Sequence, residues 1–298
     1  MKSSNIGGQA VMEGVMMRNA DKYAVAVRKT DGEIVVKTEE YKGIVQNKKI
    51  RSLPIIRGVF SFIDSMVLGM STLTYSASFF MDEEEEEKDE KKESVMMGLM
   101  IACSVVMAVA IFMILPYFLS QLFRKFTDST TLITLLEGAV RLVIFFGYIL
   151  LISRMKDIQR VFMYHGAEHK CINCIEHGME LNVENVLKSS RLHKRCGTSF
   201  LFIVMIVSII FFLFIRIESP IWRVVFRLLL IPVIAGVSFE FIRLAGKSEN
   251  KLVIFLSKPG MMLQKLTTRE PDASMAEVAI ASVEAVFDLR AYLKENFG

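Results

Sequence analysis

The sequence predicts a mainly α-helical, polytopic membrane protein: four transmembrane helices carrying a small α+β cytoplasmic lobe. Three observations lead there. Of 298 residues 52% are hydrophobic and the mean hydropathy is +0.41, too apolar for a soluble domain of that length. Uninterrupted apolar runs at 94–119 and 198–217 can each cross a hydrocarbon core, which takes about 20 helical residues. Lysine and arginine gather in alternate connecting segments, as in loops retained in the cytoplasm.

Residues 1–53 form the predicted cytoplasmic lobe. "YAVAVRK" and "EIVVKTEEY" alternate apolar and polar residues about the turn "TDG", the pattern of a β-hairpin. The segment is polar, and no cleavable signal peptide is expected in it. Residues 54–81 are helical in pattern but interrupted by Arg57, Asp64 and many hydroxyls. A fifth span here puts the basic lobe outside, against the charge rule, so an interfacial or partly buried helix is expected. "DEEEEEKDEKKE" (82–93) is an acidic linker.

Transmembrane helices 1 and 2 fall within 94–153. In the second, Glu137 and Arg141 stand four residues apart on one face, where they can pair inside the bundle. Helices 3 and 4 fall within 198–242, the last holding Arg223, Arg227, Glu240 and a kinking Pro232. Residues 243–298 form a helical cytoplasmic tail, in which Asp272 caps an amphipathic helix. The expected location is the cell (inner) membrane, multi-pass, with both termini cytoplasmic.

The chemistry concentrates in the cytoplasmic loop 154–197. "YHGAEHKCINCIEHG" (164–178) holds three of the four histidines and two of the four cysteines, and "RLHKRCGTSF" (191–200) adds His193 and Cys196. Cytoplasmic thiols stay reduced, which favours metal binding over a disulfide. His165 and His169 lie four apart, so a helix projects both imidazoles from one face. With Glu168 between them the string is H-x-x-E-H, in which two histidines hold zinc and the glutamate activates water. His193 and Cys196 can complete a shell around a divalent ion, and Cys171 with Cys174 makes a C-x-x-C pair. A thiol-based role, or histidines that only hydrogen-bond in a core, are the competing readings.

"GGQAVMEGVMMR" (7–18) has glycines for a tight turn but lacks a phosphate-loop lysine, which excludes nucleotide binding there. Either Gly7, Gly8 and Gly14 serve close packing alone, or Gln9 or Glu13 joins the site. This stretch, "YHGAEHK", "RCGTSF" and "TTREP" (267–271) together resemble the YqhQ-like family of bacterial membrane proteins, whose function is unknown and to which metal dependence has been ascribed. The resemblance marks Gln9, Glu13, His165, Glu168, His169, Lys170, Arg195, Cys196, Gly197, Glu270 and Pro271 as motif positions. Cys171 lies outside that pattern, which weakens a joint role with Cys174. Glu270 also has a plainer reading, as a charge complementing the N-terminus of the helix that follows.

Two functions fit. In the first, a metal-stabilised lobe at the membrane face docks a protein partner, in membrane-protein biogenesis or translation. In the second, His165, His169 and one of Cys196 or His193 hold the metal of a hydrolase, with Glu168 as general base and a peptide, lipid head group or other molecule reaching the cytoplasmic leaflet as substrate. A net charge of +4 and a pI near 8.8 follow from topology alone and do not indicate nucleic acid. The bilayer is the one partner that composition demands; oligomeric state is not encoded legibly.

Overall fold

The structure, a computed structural model, describes residues 2–80, 90–215, 217, 219–247 and 250–298. Its strands are β1 (Gly7–Val11), β2 (Gly14–Asn19), β3 (Lys22–Arg28) and β4 (Ile34–Glu40). The helices are α1 (Lys48–Ser52), α2 (Ile56–Ser78), α3 (Glu90–Val109), α4 (Leu115–Gln121), α5 (Thr130–Ile152), α6 (Lys156–Glu176), α7 (Val183–Lys188), α8 (Gly197–Phe214), α9 (Pro220–Lys247), α10 (Lys251–Thr267), α11 (Ala273–Glu284) and α12 (Leu289–Phe297). A π-turn at Ala110–Ile114 joins α3 to α4 without ending the helical run. The chain divides into two compact units, one of residues 1–80, 152–203 and 235–298, the other of 81–151 and 204–234.

In the first unit the strands form one antiparallel sheet in the order β1-β2-β3-β4. The β3–β4 hairpin stands where alternation placed it, with Gly32 at φ 90° in its turn. A second hairpin, β1–β2, occupies the glycine-rich motif, which showed no alternation. Val11 pairs with Gly14 across a two-residue turn, and Glu13 takes φ 47° there.

The period of two assigns the sheet's faces. Val15, Met17 and Ala26 point to a core shared with α6 and α11, built on Tyr164, Ile172, Met275 and Val278. Val11, Met16, Val25 and Val27 point the other way, onto Leu68 of α2. Within α2 the buried positions Asp64, Leu68, Thr72 and Ser76 recur every four residues. Asp64 accepts the Ile44 N–H at 2.8 Å and the Tyr41 hydroxyl at 3.1 Å, and Ser76 Oγ accepts the Met12 N–H at 3.1 Å. Arg57 pairs with Glu240 at 2.6 Å. The residues that interrupt the apolar pattern are therefore the ones consumed by packing.

Five described helices are long and apolar enough to cross a membrane: Ile56–Ser78, Val95–Lys125, Thr130–Ile152, Gly197–Phe214 and Ile221–Gly246. The sequence expected four. The extra one is α2, whose polar residues find partners within the lobe and so do not disqualify it by composition. Of the expected acidic linker, 82–89 lie outside the described residues, while 90–93 already belong to α3.

In the second unit Glu137, Arg141 and Arg227 form a buried triad. Glu137 accepts from Arg141 and from Arg227, each at 2.9 Å, and Arg141 also donates to Ser208 at 3.0 Å. Both guanidinium groups lie over the Phe212 ring, at 5.0 and 4.6 Å from its centroid.

Candidate functional site

The histidines of α6 are set by their own spacing. His165 and His169 stand one turn apart with ring centroids 4.4 Å from each other. Each Nδ1 meets a backbone carbonyl, His165 that of Thr267 at 2.9 Å and His169 that of Arg191 at 2.6 Å. A carbonyl only accepts, so each Nδ1 carries a proton, and in the neutral ring Nε2 is left with a lone pair. Cys196, just before α8, lies with Sγ 3.3 Å from His165 Nε2 and 3.3 Å from the Thr198 N–H. One ligand atom from each of His165, His169 and Cys196 falls within 4.8 Å of the others, close enough for a single ion to draw them together.

The electrostatics agree with that grouping. Burial alone raises the Cys196 thiol, but the facing His165 and His169 imidazoles outweigh it and hold the group well below its usual range. For His165 burial works downward, and Cys196 with Glu168 and the Thr267 carbonyl reverses it, raising the imidazole to about 9. Glu168 is pushed up by burial against the opposing pull of His169 and His165.

Glu168 meets the amide of Gly8 on β1. A Cβ at Gly8 would lie 2.8 Å from Glu168 Cγ and 2.7 Å from the Met16 carbonyl oxygen, so only glycine lets β1 approach α6 this closely. Beside the cluster is a cavity of about 620 Å³ that His165, Glu168 and Cys196 line from one side. Its other walls are largely apolar, with Phe62 of α2, Phe162 of α6, Phe200 of α8 and Phe239 of α9.

The remaining candidates take other places. His193 turns to Glu176 at 3.5 Å, and burial pushes its imidazole down despite that carboxylate. Glu176 also receives the Ser4 N–H at 2.8 Å and pairs with Arg195, which lines the cavity. Lys170 is buried and donates to the Leu187 and Ser189 carbonyls at 2.7 and 2.8 Å, with Glu270 at 2.9 Å. Glu270 thus ties α6 to the segment before α11, and the cap of α11 is Asp272, which accepts from Met275 at 3.0 Å. Cys174 and Cys171 are buried free thiols, the former against the Glu180 carbonyl at 3.4 Å. Glu13 pairs with Arg160 and accepts the Tyr164 hydroxyl at 3.2 Å, away from the three ligand atoms. Gln9 lines the cavity.

The "TTREP" motif is a strap across α6. Beyond the Thr267 carbonyl on His165, the Arg269 N–H donates to the Phe162 carbonyl at 2.8 Å, and Arg191 donates to the Thr268 carbonyl at 2.6 Å. These orienting carbonyls could not be read from the sequence, since any residue type supplies one. Gly8 likewise carried only the signal of being a glycine.

The fold and this cluster define a class: multi-pass helical membrane proteins that carry a folded lobe with a His-His-Cys group beside a largely apolar cavity. The chain belongs to the family described as "Protein of unknown function (DUF1385)", which matches residues 53–289. It is 36% identical over 301 residues to "Uncharacterized protein YqhQ" of Bacillus subtilis (strain 168), an alignment covering 97% of this chain and 94% of that protein. No solved structure matches it.

Proposed function

We propose that this protein is a metal-dependent hydrolase at the cytoplasmic face of the cell (inner) membrane, with His165, His169 and Cys196 as ligands of a divalent ion and Glu168 as general base. One observation carries the reading: three ligand atoms converge within 4.8 Å, and a buried glutamate stands with them at the wall of a cavity of about 620 Å³. Three protein ligands with space for a fourth partner are the arrangement of catalytic zinc sites, whereas structural sites close with four. Two imidazoles and a thiolate favour zinc. In this reading α3 with α4, α5, α8 and α9 cross the bilayer, and α2 lies at the interface because its inner face is occupied by the sheet. Both termini are then cytoplasmic, in keeping with the basic segments.

An ion held by His165, His169 and Cys196 would supply Lewis acidity toward a substrate carbonyl. Glu168 takes a proton from the attacking water, whose oxygen bonds to the carbonyl carbon. As the bond from that carbon to the leaving group breaks, Glu168 returns the proton to it. The burial that raises Glu168 also brings its basicity closer to what proton transfer near neutral pH requires. A lobe that merely docks a partner in membrane-protein biogenesis or translation needs neither the cavity nor a glutamate placed there.

Glu168→Gln separates the two. As a general base its loss leaves metal content and melting temperature unchanged and lowers activity by about 10²- to 10⁴-fold, read as failed complementation of a strain lacking the protein. As a support for a ligand its loss weakens metal binding by about 10- to 100-fold together with the yield of folded protein. Unchanged metal content in His165→Ala and His169→Ala removes the metal from both readings.

A further inference from the structure

The edge of the sheet bears on what the cavity accepts. β1 is an edge strand, and its residues Gly8, Gln9 and Ala10 line the cavity between α2 and α6. Val11 and Gly14 flank the two-residue turn and so form a hydrogen-bonded pair, as do Gln9 and Met16 two positions on. Gly8 and Ala10 therefore direct their amide and carbonyl groups away from β2; the Gly8 amide is taken by Glu168, which leaves the Gly8 carbonyl and both groups of Ala10. A strand edge with outward backbone groups is a template for a further strand.

We propose that this edge binds substrate: an apolar peptide segment, in extended conformation, pairs with the Gly8 carbonyl and the Ala10 amide and carbonyl as an added strand and brings a peptide carbonyl to His165, Glu168 and Cys196. The cleavage part rests on the hydrolase reading; the binding part does not. Phe62, Phe162, Phe200 and Phe239 receive the apolar side chains, Phe62 and Phe200 already forming a ring pair at 5.5 Å. Among the described residues of the wall, Arg195 is neutralised by Glu176 and His165 faces the Cys196 thiol, so the cavity does not ask for an acidic ligand. An acyl chain would satisfy the phenylalanines but has no groups to pair with the outward amide and carbonyl of Ala10. The volume lies within the range of about 300 to 1,000 Å³ usual for ligand sites.

The test is binding of a fluorescein-labelled peptide, Lys-Ala-Leu-Phe-Ala-Val-Phe-Lys, to the full-length protein in detergent micelles, with backbone amides N-methylated at either of the two alternating sets of positions. Pairing with an edge uses every second amide. One set should weaken binding at least tenfold and the other leave it within twofold. Ala10→Pro removes an outward N–H, a position where an edge strand tolerates proline, and should weaken binding about tenfold with an unchanged circular dichroism spectrum. If that variant does not fold, the N-methyl sets decide alone. Equal loss from both sets, no peptide binding, or binding only of a fluorescent phosphatidylglycerol overturns the proposal. Peptide bound with alternating sensitivity but left uncleaved upholds it and removes the hydrolase; cleavage without alternation does the reverse.

Discussion

Gly166, inside the H-x-x-E-H string, is where α6 passes beneath the 267–271 strap, and Gly166→Ala sets two magnitudes against each other. Alanine is the better helix former by about 0.8–1 kcal/mol, which taken alone predicts a more stable protein. The added Cβ, however, would lie 2.0 Å from the Arg269 carbonyl oxygen. Ordinary contact begins at 3.4 Å, so the strap must retreat by about 1.4 Å. The helix cannot yield instead, because Ala167 and Cys171 next to it are fully buried. A retreat of that size takes the 2.8 Å bond from Arg269 N–H to Phe162 and the 2.9 Å bond from His165 to Thr267 out of range. Overpacking costs about 1–3 kcal/mol and each lost hydrogen bond about 1 kcal/mol, so the net is a loss of about 2–4 kcal/mol. At about 2–4 °C per kcal/mol the melting temperature falls by roughly 5–15 °C. With its orienting carbonyl gone, His165 should also bind metal about 10- to 100-fold more weakly. Thermal melts and metal analysis of the purified variant check both. A melting temperature equal to or above the parent's would mean that helix propensity wins and the strap does not hold the site.

Two further outcomes follow from buried charges. Glu137→Leu leaves Arg141 and Arg227 without their shared carboxylate and should cost about 3–5 kcal/mol, whereas leucine at all three positions should recover most of it. A triple variant as unstable as the sum of the single ones would show that the triad is not a unit. Glu176 titrates at about 2: burial pushes it up, but His193, the Ser4 N–H and Arg195 outweigh that and lower it from 4.5. Because the folded-state value lies below the unfolded one, its contribution is complete above about pH 4.5 and disappears as pH falls toward 2. Acid unfolding followed by circular dichroism should therefore steepen over that window, and Glu176→Gln should flatten it; identical acid profiles would place the linkage elsewhere.

Some of this architecture is a property of short windows of chain and is legible there. An apolar run of 18 or more residues can cross a bilayer whatever surrounds it, so the four long runs reappear as helices. The β3–β4 hairpin follows from alternation about a glycine turn, and the shared face of His165 and His169 from the helical period. Other features depended on residues far apart in sequence. Glycine-rich β1 and β2 carry no alternation because glycine has no side chain to show which face it takes, and their strand state comes from pairing with each other, from the pairing of β2 with β3 and from packing on α6. The polar interruptions of α2 looked like defects until Asp64 and Ser76 met the backbone of the lobe, whose distant residues supply their partners. Between His193 and Cys196, three residues apart, sequence had no means to choose. The choice fell to burial: Glu176, held by Ser4 and Arg195, takes His193, and Cys196 is left facing the two imidazoles. Spacing along one helix determines which side chains share a face, but which distant group meets that face is decided by how the chain packs, because a buried charge must find its partner somewhere.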